Sequence, residues 1–394
     1  MSSSSSSLEI PKSFNKITVL GSGVMGHGIA QVSAMAGYNV ALRDIDRSFL
    51  DKALDKIQWS LNKLVEKKRM TQSEAEQIMN RIVPIVELQE SLKNAELVIE
   101  AIPEEIGLKR KLYFDIDRYA EPKTVYASNT STLPISEMAI LTSRPDRFIG
   151  LHFFNPPQLM QLVEVIPGKL TRPDLTDMAI NFIKKIGKEP VLCKKDVPGF
   201  IVNRIFIPLI HEALHCRDRD GASKEQIDLA CKSDLAFPMG IFELADYTGI
   251  DVIHKATIEM YSRDKKVVNP HPEIKRLFEE KKFGQKTGEG FYNYNAGTAY
   301  ERIKITDDKA EKYYPIKLLA VAANNAAWLL SNQVCNEEDL DKALRLGMGL
   351  KESFFSILDR FGIHSIIDTL KEMALRYSSD FYNPDFYLLN YNRS

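Results

Sequence analysis

A histidine and a glutamate twelve residues apart carry the first chemical signal in this 394-residue chain. His152 lies near the end of the apolar run Arg147 to Phe154, and Glu164 lies inside the run Leu162 to Ile166. Both are equidistant from Gln158, so a hairpin folded about that residue makes their side chains cross-strand neighbours. A carboxylate beside an imidazole fixes its tautomer and stabilises its protonated form. Such a pair can act as a general acid and base near neutral pH; the alternative is a surface pair with no role. Ser131, Asn155 and Asn203 are hydrogen-bonding residues at element ends with no evident structural duty. They suit a site that binds a carbonyl whose oxygen gains charge when hydride arrives. Ser131 lacks a nucleophile-elbow motif, so no covalent role is expected of it. The histidines are scattered without ligand spacing, and no metal is expected.

Hydride chemistry needs a carrier, and the chain opens on a fingerprint for one. The β-branched run Ile17 to Leu20 leads into Gly21, Ser22, Gly23, Val24, Met25 and Gly26, the G-x-G-x-x-G spacing, and then into a helical pattern. The first glycine permits the tight turn, and the second lets a pyrophosphate approach the backbone. The third lets the helix pack closely and aim its N–H groups at the phosphate. A second apolar run, Tyr38 to Leu42, ends at Asp44, 21 positions after Gly23, where a carboxylate can accept from both ribose hydroxyls. NAD is therefore expected rather than NADP, because Asp44 would repel a 2′-phosphate. Arg43, which could receive one, precedes Asp44 and should point to the opposite face of the strand.

These residues need a scaffold that gathers strand ends. Buried-strand runs recur at Ala95 to Ile102, Thr124 to Ala127, Arg147 to Phe154, Leu162 to Ile166 and Pro190 to Lys194, with helical segments between most of them. That alternation predicts an α/β fold, a Rossmann-type doubly wound parallel sheet whose ligands bind at the carboxyl ends of its strands. Between Asp44 and Ala95 the chain predicts an amphipathic helix, with Ser48 and Asp51 as a capping box. Leu50, Ala53, Leu54, Ile57, Leu61, Leu64 and Val65 form its apolar face. Lys52, Lys56, Lys63 and Lys67 form a basic stripe opposite, either a solvated face or a landing site for a phosphorylated ligand.

After the break at Asp196-Val197-Pro198-Gly199 the pattern becomes helical. There the chain repeats itself at an offset of 113 residues: Asp228 with Asp341, Phe242 with Phe355, Asp246 with Asp359, Gly249 with Gly362, and Glu259-Met260 with Glu372-Met373. The second part is thus an all-α domain present in two copies. The expected organisation is a disordered serine-rich leader over 1–13, a sheet domain over 14–197, a helical domain over 198–294 and a degenerate second copy over 295–394. The apolar face of one copy must be buried, which predicts an internal pseudo-dimer in a monomer, or a homodimer through another surface. A formal net charge of −1 gives no indication of nucleic acid or membrane binding. Four scattered cysteines without C-x-x-C fit a reducing, cytoplasmic setting.

Five motifs in order, SNTS at Ser128 to Ser131, GLHFFNP at Gly150 to Pro156, LVEVI at Leu162 to Ile166, PGFIVNR at Pro198 to Arg204 and FGQKTGEGFY at Phe283 to Tyr292, resemble the L-3-hydroxyacyl-CoA dehydrogenases. The resemblance is closest to the bacterial-type 3-hydroxybutyryl-CoA dehydrogenases and covers residues 16–293. It implies an NAD-dependent oxidation of an acyl-CoA, with His152 as acid/base and Glu164 as its orienting carboxylate. It also implies that Ser131 and Asn203 hold the substrate's 3-oxygen and thioester end. Asp44, Glu104, Lys109, Asn129, Asn155 and Lys286 match cofactor contacts, and Lys63, with Lys67 on the same stripe, lies where the family binds CoA. The second helical copy has Ile316 where the repeat would place Asn203, and should be structural. A dehydrogenase of a free hydroxy or sugar acid, and a non-catalytic NAD-binding protein, are the rival readings.

Overall fold

The β-branched run Lys16–Leu20 forms the first strand, β1, and its neighbours in the sequence build a single sheet around it. The computed structural model describes residues 14–295 and 312–391, so the serine-rich leader and the start of the second helical copy lie outside the described residues. Two compact units divide the chain, one ending at Asp196 and the other beginning at Val197.

In the first unit the strands are β1, β2 (Asn39–Arg43), β3 (Ile82–Ile85), β4 (Leu97–Glu100), β5 (Val125–Ser128), β6 (Phe148–Phe153), β7 (Leu162–Pro167) and β8 (Glu189–Leu192), in the spatial order β3-β2-β1-β4-β5-β6-β7-β8. Every neighbouring pair is parallel except β6 and β7, which run antiparallel. The central strands β4, β5 and β6 are buried on both faces, which is why they read as unbroken apolar runs rather than alternations. Seven helices interleave them: α1 (Val24–Met35), α2 (Arg47–Glu66), α3 (Gln72–Asn80), α4 (Leu88–Leu92), α5 (Ile106–Tyr119), α6 (Ile135–Ala139) and α7 (Pro173–Lys185).

Two features depart from the sequence expectation. β3 has no counterpart among the expected strands because Pro84 interrupts a short run; as the outer strand of the sheet it tolerates a residue with no N–H. The cap of α2 is Asp46, whose carboxylate accepts from the Ser48 N–H, while Asp51 pairs with Arg47 at 2.8 Å. Ser48 already lies inside the helix, so the expected Ser48–Asp51 capping box does not form. Leu50, Ala53, Ile57 and Leu61 bury the apolar face as their spacing requires, whereas Leu54, Leu64 and Val65 are only half-buried.

Among the described residues of the second unit the regular elements are helices: α8 (Val202–Asp220), α9 (Lys224–Ser233), α10 (Ile241–Thr248), α11 (Ile250–Arg263) and α12 (Pro272–Glu279), then α13 (Ile316–Ser331), α14 (Glu337–Gly347), α15 (Phe354–Phe361), α16 (Ile363–Tyr377) and α17 (Phe386–Leu389). Two positions set 113 residues apart share a backbone conformation. Gly249 links α10 to α11 at φ 103°, and Gly362 links α15 to α16 at φ 84°, a left-handed conformation that a side chain would strain. α13 packs along α8: at one end Arg204 lies over Trp328, and at the other Lys317 meets Asp220 at 2.5 Å, so the two helices run antiparallel. Leu318, Leu319, Val321, Leu329, Phe354, Phe355, Ile357 and Leu358 are buried in this unit. The copies differ where chemistry differs. Asp246 accepts from Phe291 and Tyr292 N–H groups, both at 2.9 Å, and from the Tyr294 hydroxyl, whereas its counterpart Asp359 is exposed.

Candidate active site

The turn after β1 is built by close approach. Gly21 has φ 95°, and a Cβ there would come within 2.5 Å of the Ala101 carbonyl oxygen. A Cβ on Gly26 would lie 1.7 Å from the Gly21 carbonyl oxygen, so α1 can pack on the turn only through glycine. A Cβ on Gly23 would meet nothing within 4 Å. Gly23 is the N-cap of α1 with no side-chain cap, so no capping side chain covers the first N–H groups of the helix. Asp44, at the end of β2, stands beside it: its Oδ2 accepts from the Ser22 N–H and from the Ser22 hydroxyl, both at 2.7 Å. Arg43 is occupied elsewhere, donating through Nε to the Val86 carbonyl at 3.1 Å. These features fit a dinucleotide pyrophosphate and its ribose.

At the carboxyl end of β6 stands the acid/base candidate. The antiparallel register pairs His152 with Glu164, and the imidazole Nδ1 lies 2.6 Å from Glu164 Oε2. The pair is buried, with side chains 8% and 0% exposed, and the Phe154 ring lies 4.6 Å from the imidazole between centroids. Asn129, the residue that follows β5, accepts through Oδ1 from the Phe153 N–H at 2.9 Å and so fixes the backbone next to His152. Asn155 is exposed and precedes a cis peptide bond to Pro156.

Beside this pair lies a buried ionic network that is only partly legible in the sequence. Lys109 on α5 is fully buried, its ammonium 3.0 Å from Glu100 and 2.6 Å from Glu104. Glu100, at the end of β4, accepts from the Tyr113 hydroxyl at 2.9 Å, the Ser128 hydroxyl at 2.7 Å and the Ile102 N–H at 2.9 Å. Glu104 accepts from the Ser131 N–H at 2.9 Å and from the Thr130 hydroxyl. Burial works to raise the Glu104 pKa, but the charge and hydrogen bonds of Lys109, with those of Thr130 and Ser131, outweigh it and hold the carboxylate below its usual range. Burial likewise works to lower Lys109, and the two glutamates outweigh that and keep it raised. Glu100 escapes the sequence reading; an acidic residue ending the apolar run Leu97-Val98-Ile99 is the signal that could find it.

The remaining candidates are dispersed. Lys63 is half-exposed, ion-paired with Glu66 at 2.7 Å, and Lys67 is the exposed C-cap residue of α2. Asn203, in the first turn of α8, and Lys286, whose ammonium pairs with Asp251, belong to the second unit. Among the described residues no group of His, Cys, Asp and Glu could hold a metal ion, and no helix is long and apolar enough to cross a membrane.

Family models place this geometry. Residues 16–197 match the NAD binding domain of 3-hydroxyacyl-CoA dehydrogenase, and residues 199–294 and 315–392 match its C-terminal domain. The chain belongs to the 3-hydroxyacyl-CoA dehydrogenase family. It is 42% identical over 301 residues to the mitochondrial hydroxyacyl-coenzyme A dehydrogenase of Homo sapiens, spanning 74% of this chain and 96% of the relative. It is 39% identical to a 3-hydroxybutyryl-CoA dehydrogenase of Clostridioides difficile, over 71% of this chain and 99% of that one. The crystal structure of the 3-hydroxybutyryl-CoA dehydrogenase of Escherichia coli matches at a TM-score of 0.84 and 26% identity, over 95% of this chain and 98% of that chain. The (S)-3-hydroxybutyryl-CoA dehydrogenase of Ralstonia eutropha matches at 0.69 and 35% identity, and its whole length covers only 72% of this chain. As a family member the protein is an NAD-dependent oxidoreductase, and the glycine turn, α1 and Asp44 are the parts of its first unit that fit NAD.

Proposed function

We propose that this 3-hydroxyacyl-CoA dehydrogenase reversibly oxidises (S)-3-hydroxyacyl-CoA to 3-oxoacyl-CoA, with 3-hydroxybutyryl-CoA as the preferred class of substrate. NAD supplies the hydride acceptor. The reading is carried by the buried His152–Glu164 pair at 2.6 Å on the carboxyl edge of the sheet. With Nδ1 committed to Glu164, the imidazole meets the 3-hydroxyl through Nε2 and takes its proton; in the reverse direction the imidazolium returns it. Glu164 holds the ring and stabilises the positive charge that forms on it. Ser131 and Asn203 bind the 3-oxygen and the thioester end. The Glu104–Lys109 pair keeps the Ser131 turn in place, since Glu104 accepts from both Thr130 and Ser131. Asp44 takes the ribose, while Asn129, Asn155 and Lys286 complete the cofactor contacts. Lys63 and Lys67 offer charge to the CoA phosphates.

In this reading the sheet domain runs to residue 197, the helical domain to 294, and the second helical copy supplies the partner face that a second subunit would otherwise provide. The support is the antiparallel packing of α13 on α8 within one chain. Four buried free thiols favour a reducing compartment such as the cytoplasm. Initial rates of NADH formation with (S)-3-hydroxybutyryl-CoA and with free 3-hydroxybutyrate test the substrate class. Equal kcat/KM for the two would overturn it.

A further inference from the structure

The helix that carries Asn203 begins in a demanding turn. Gly199 has φ 79° and Phe200 has φ 52°, and a Cβ on Gly199 would lie 2.7 Å from the Met260 methyl and 2.8 Å from the Arg204 nitrogen. The Arg204 N–H donates to the Gly199 carbonyl at 3.0 Å, closing the turn around Asn203. The Arg204 side chain is 2% exposed, a rare setting for a guanidinium. Its guanidinium carbon Cζ lies over the Trp328 ring, 3.3 Å from the ring centre, and one amino group lies 3.5 Å from the Asp264 carboxylate at the end of α11. Trp328 comes from α13, in the second helical copy.

The stacked pair is not a by-product of the repeat. The 113-residue offset sets Arg204 against Lys317 and Trp328 against His215. At the far end of the helix pair Lys317 turns to Asp220, and the His215 ring meets the Asn269 carbonyl through Nε2 at 3.1 Å. A second cation–aromatic contact, Arg219 over Tyr377 at 3.7 Å, lies at the far end of α8, but Arg204 over Trp328 is the one at the end that carries Asn203, and the repeat-related positions do not reproduce it. An aromatic face suits this position because it attracts a buried guanidinium while holding it flat, and it asks for no solvent.

We propose that Trp328 is a positioning residue for substrate binding: through Arg204 it fixes the first turn of α8 and with it Asn203, so the second helical copy acts on substrate binding through Asn203. The proposal rests on the reading of Asn203 as a substrate-binding residue. The test uses the full-length protein with Trp328→Leu, which keeps an apolar side chain but removes the aromatic face, and Trp328→Phe, which keeps a face. Trp328→Leu should raise KM for 3-hydroxybutyryl-CoA roughly five-fold or more, by loosening the turn. Its NADH dissociation constant should stay at the wild-type value, and Trp328→Phe should restore KM.

Asn203→Ala, alone and combined with Trp328→Leu, separates the proposal from the reading beneath it. If Trp328 acts through Asn203, the KM effect of Trp328→Leu should vanish in the Asn203→Ala background. A normal KM for Asn203→Ala overturns the reading of Asn203 and the proposal with it. An impaired Asn203→Ala beside an unaffected Trp328→Leu overturns the proposal alone. Additive effects, or a loss of melting temperature with KM unchanged, would leave Trp328 a packing residue and also overturn it.

Discussion

Replacing Glu164 by glutamine tests the His152–Glu164 pair with the smallest change in shape. The 2.6 Å contact to Nδ1 is buried on both sides, so neither water nor salt screens it. Glutamine can still accept from Nδ1–H through its amide oxygen, and the ring keeps its orientation. What disappears is the charge that stabilises the imidazolium as the hydroxyl proton arrives. A charge-assisted hydrogen bond exceeds a neutral one by about 1–2 kcal/mol, so kcat should fall about 5- to 30-fold. Glu164→Leu removes orientation as well and should approach His152→Gln, for which a loss of about 10²–10⁴-fold is expected. The assay is the initial rate of NADH formation at saturating (S)-3-hydroxybutyryl-CoA, with NADH binding followed by fluorescence and folding by thermal melting. Glu164→Gln with wild-type kcat would refute the reasoning, as would a loss that merely tracks a fall in melting temperature.

Asp44→Ala should lower kcat/KM for NAD about ten-fold, the cost of one or two ribose hydrogen bonds, and leave NADP the less disfavoured cofactor. Wild-type kcat/KM for NADP equal to that for NAD would contradict the role. Deleting residues 300–394 should bare the face of α8 that α13 covers, and the truncated protein should aggregate or dimerise; Leu318, Leu319, Val321 and Leu329 alone bury about 1.5–3 kcal/mol each. A soluble, fully stable monomer in sedimentation would refute that. His211 is buried, its Nδ1 accepting from the His271 N–H at 2.9 Å and its Nε2 lying 2.8 Å from the Thr257 hydroxyl, and burial pushes its pKa down to about 3. Below its usual value of 6.5 only the unfolded chain takes the proton. His211 therefore contributes stability above that pH and loses it on acidification, at about 1.4 kcal/mol per unit. Asp228, raised by burial to about 7, acts in the opposite sense, losing its contribution as pH climbs from 3.8 toward 7. The melting difference between wild type and His211→Gln isolates the histidine and should shrink from pH 7 to pH 5; a constant difference would exclude it.

Much of this site can be read before any coordinates. The glycine spacing dictates a turn that only glycine can make, as the contacts of Gly21 and Gly26 show. The equal distances of His152 and Glu164 from Gln158 set a register, because side chains on antiparallel strands meet at fixed partners. What stays hidden depends on residues distant in sequence. Pro84 masks β3, since whether a proline is tolerated depends on a strand's place in the sheet. Lys109 fits a helix face equally well whether it meets solvent or a buried and a half-buried carboxylate. The Asp46 cap is obscured because Ser48, two residues later, offers the same kind of acceptor. Tyr382 lies beyond the repeated stretch, yet its hydroxyl donates to buried Glu212 at 2.8 Å; no local pattern announces such a contact.

The central claim is that this chain uses NAD to oxidise a CoA-linked 3-hydroxyl group with His152 as the base. The most direct measurement is the steady-state rate of NADH formation by wild type and His152→Gln on (S)-3-hydroxybutyryl-CoA, each with its NADH dissociation constant. The account predicts rapid turnover by wild type, a fall of about 10²-fold or more in the variant, and nearly equal NADH affinity in both. A variant that turns over at the wild-type rate, or a wild type inert toward the CoA ester, would contradict it.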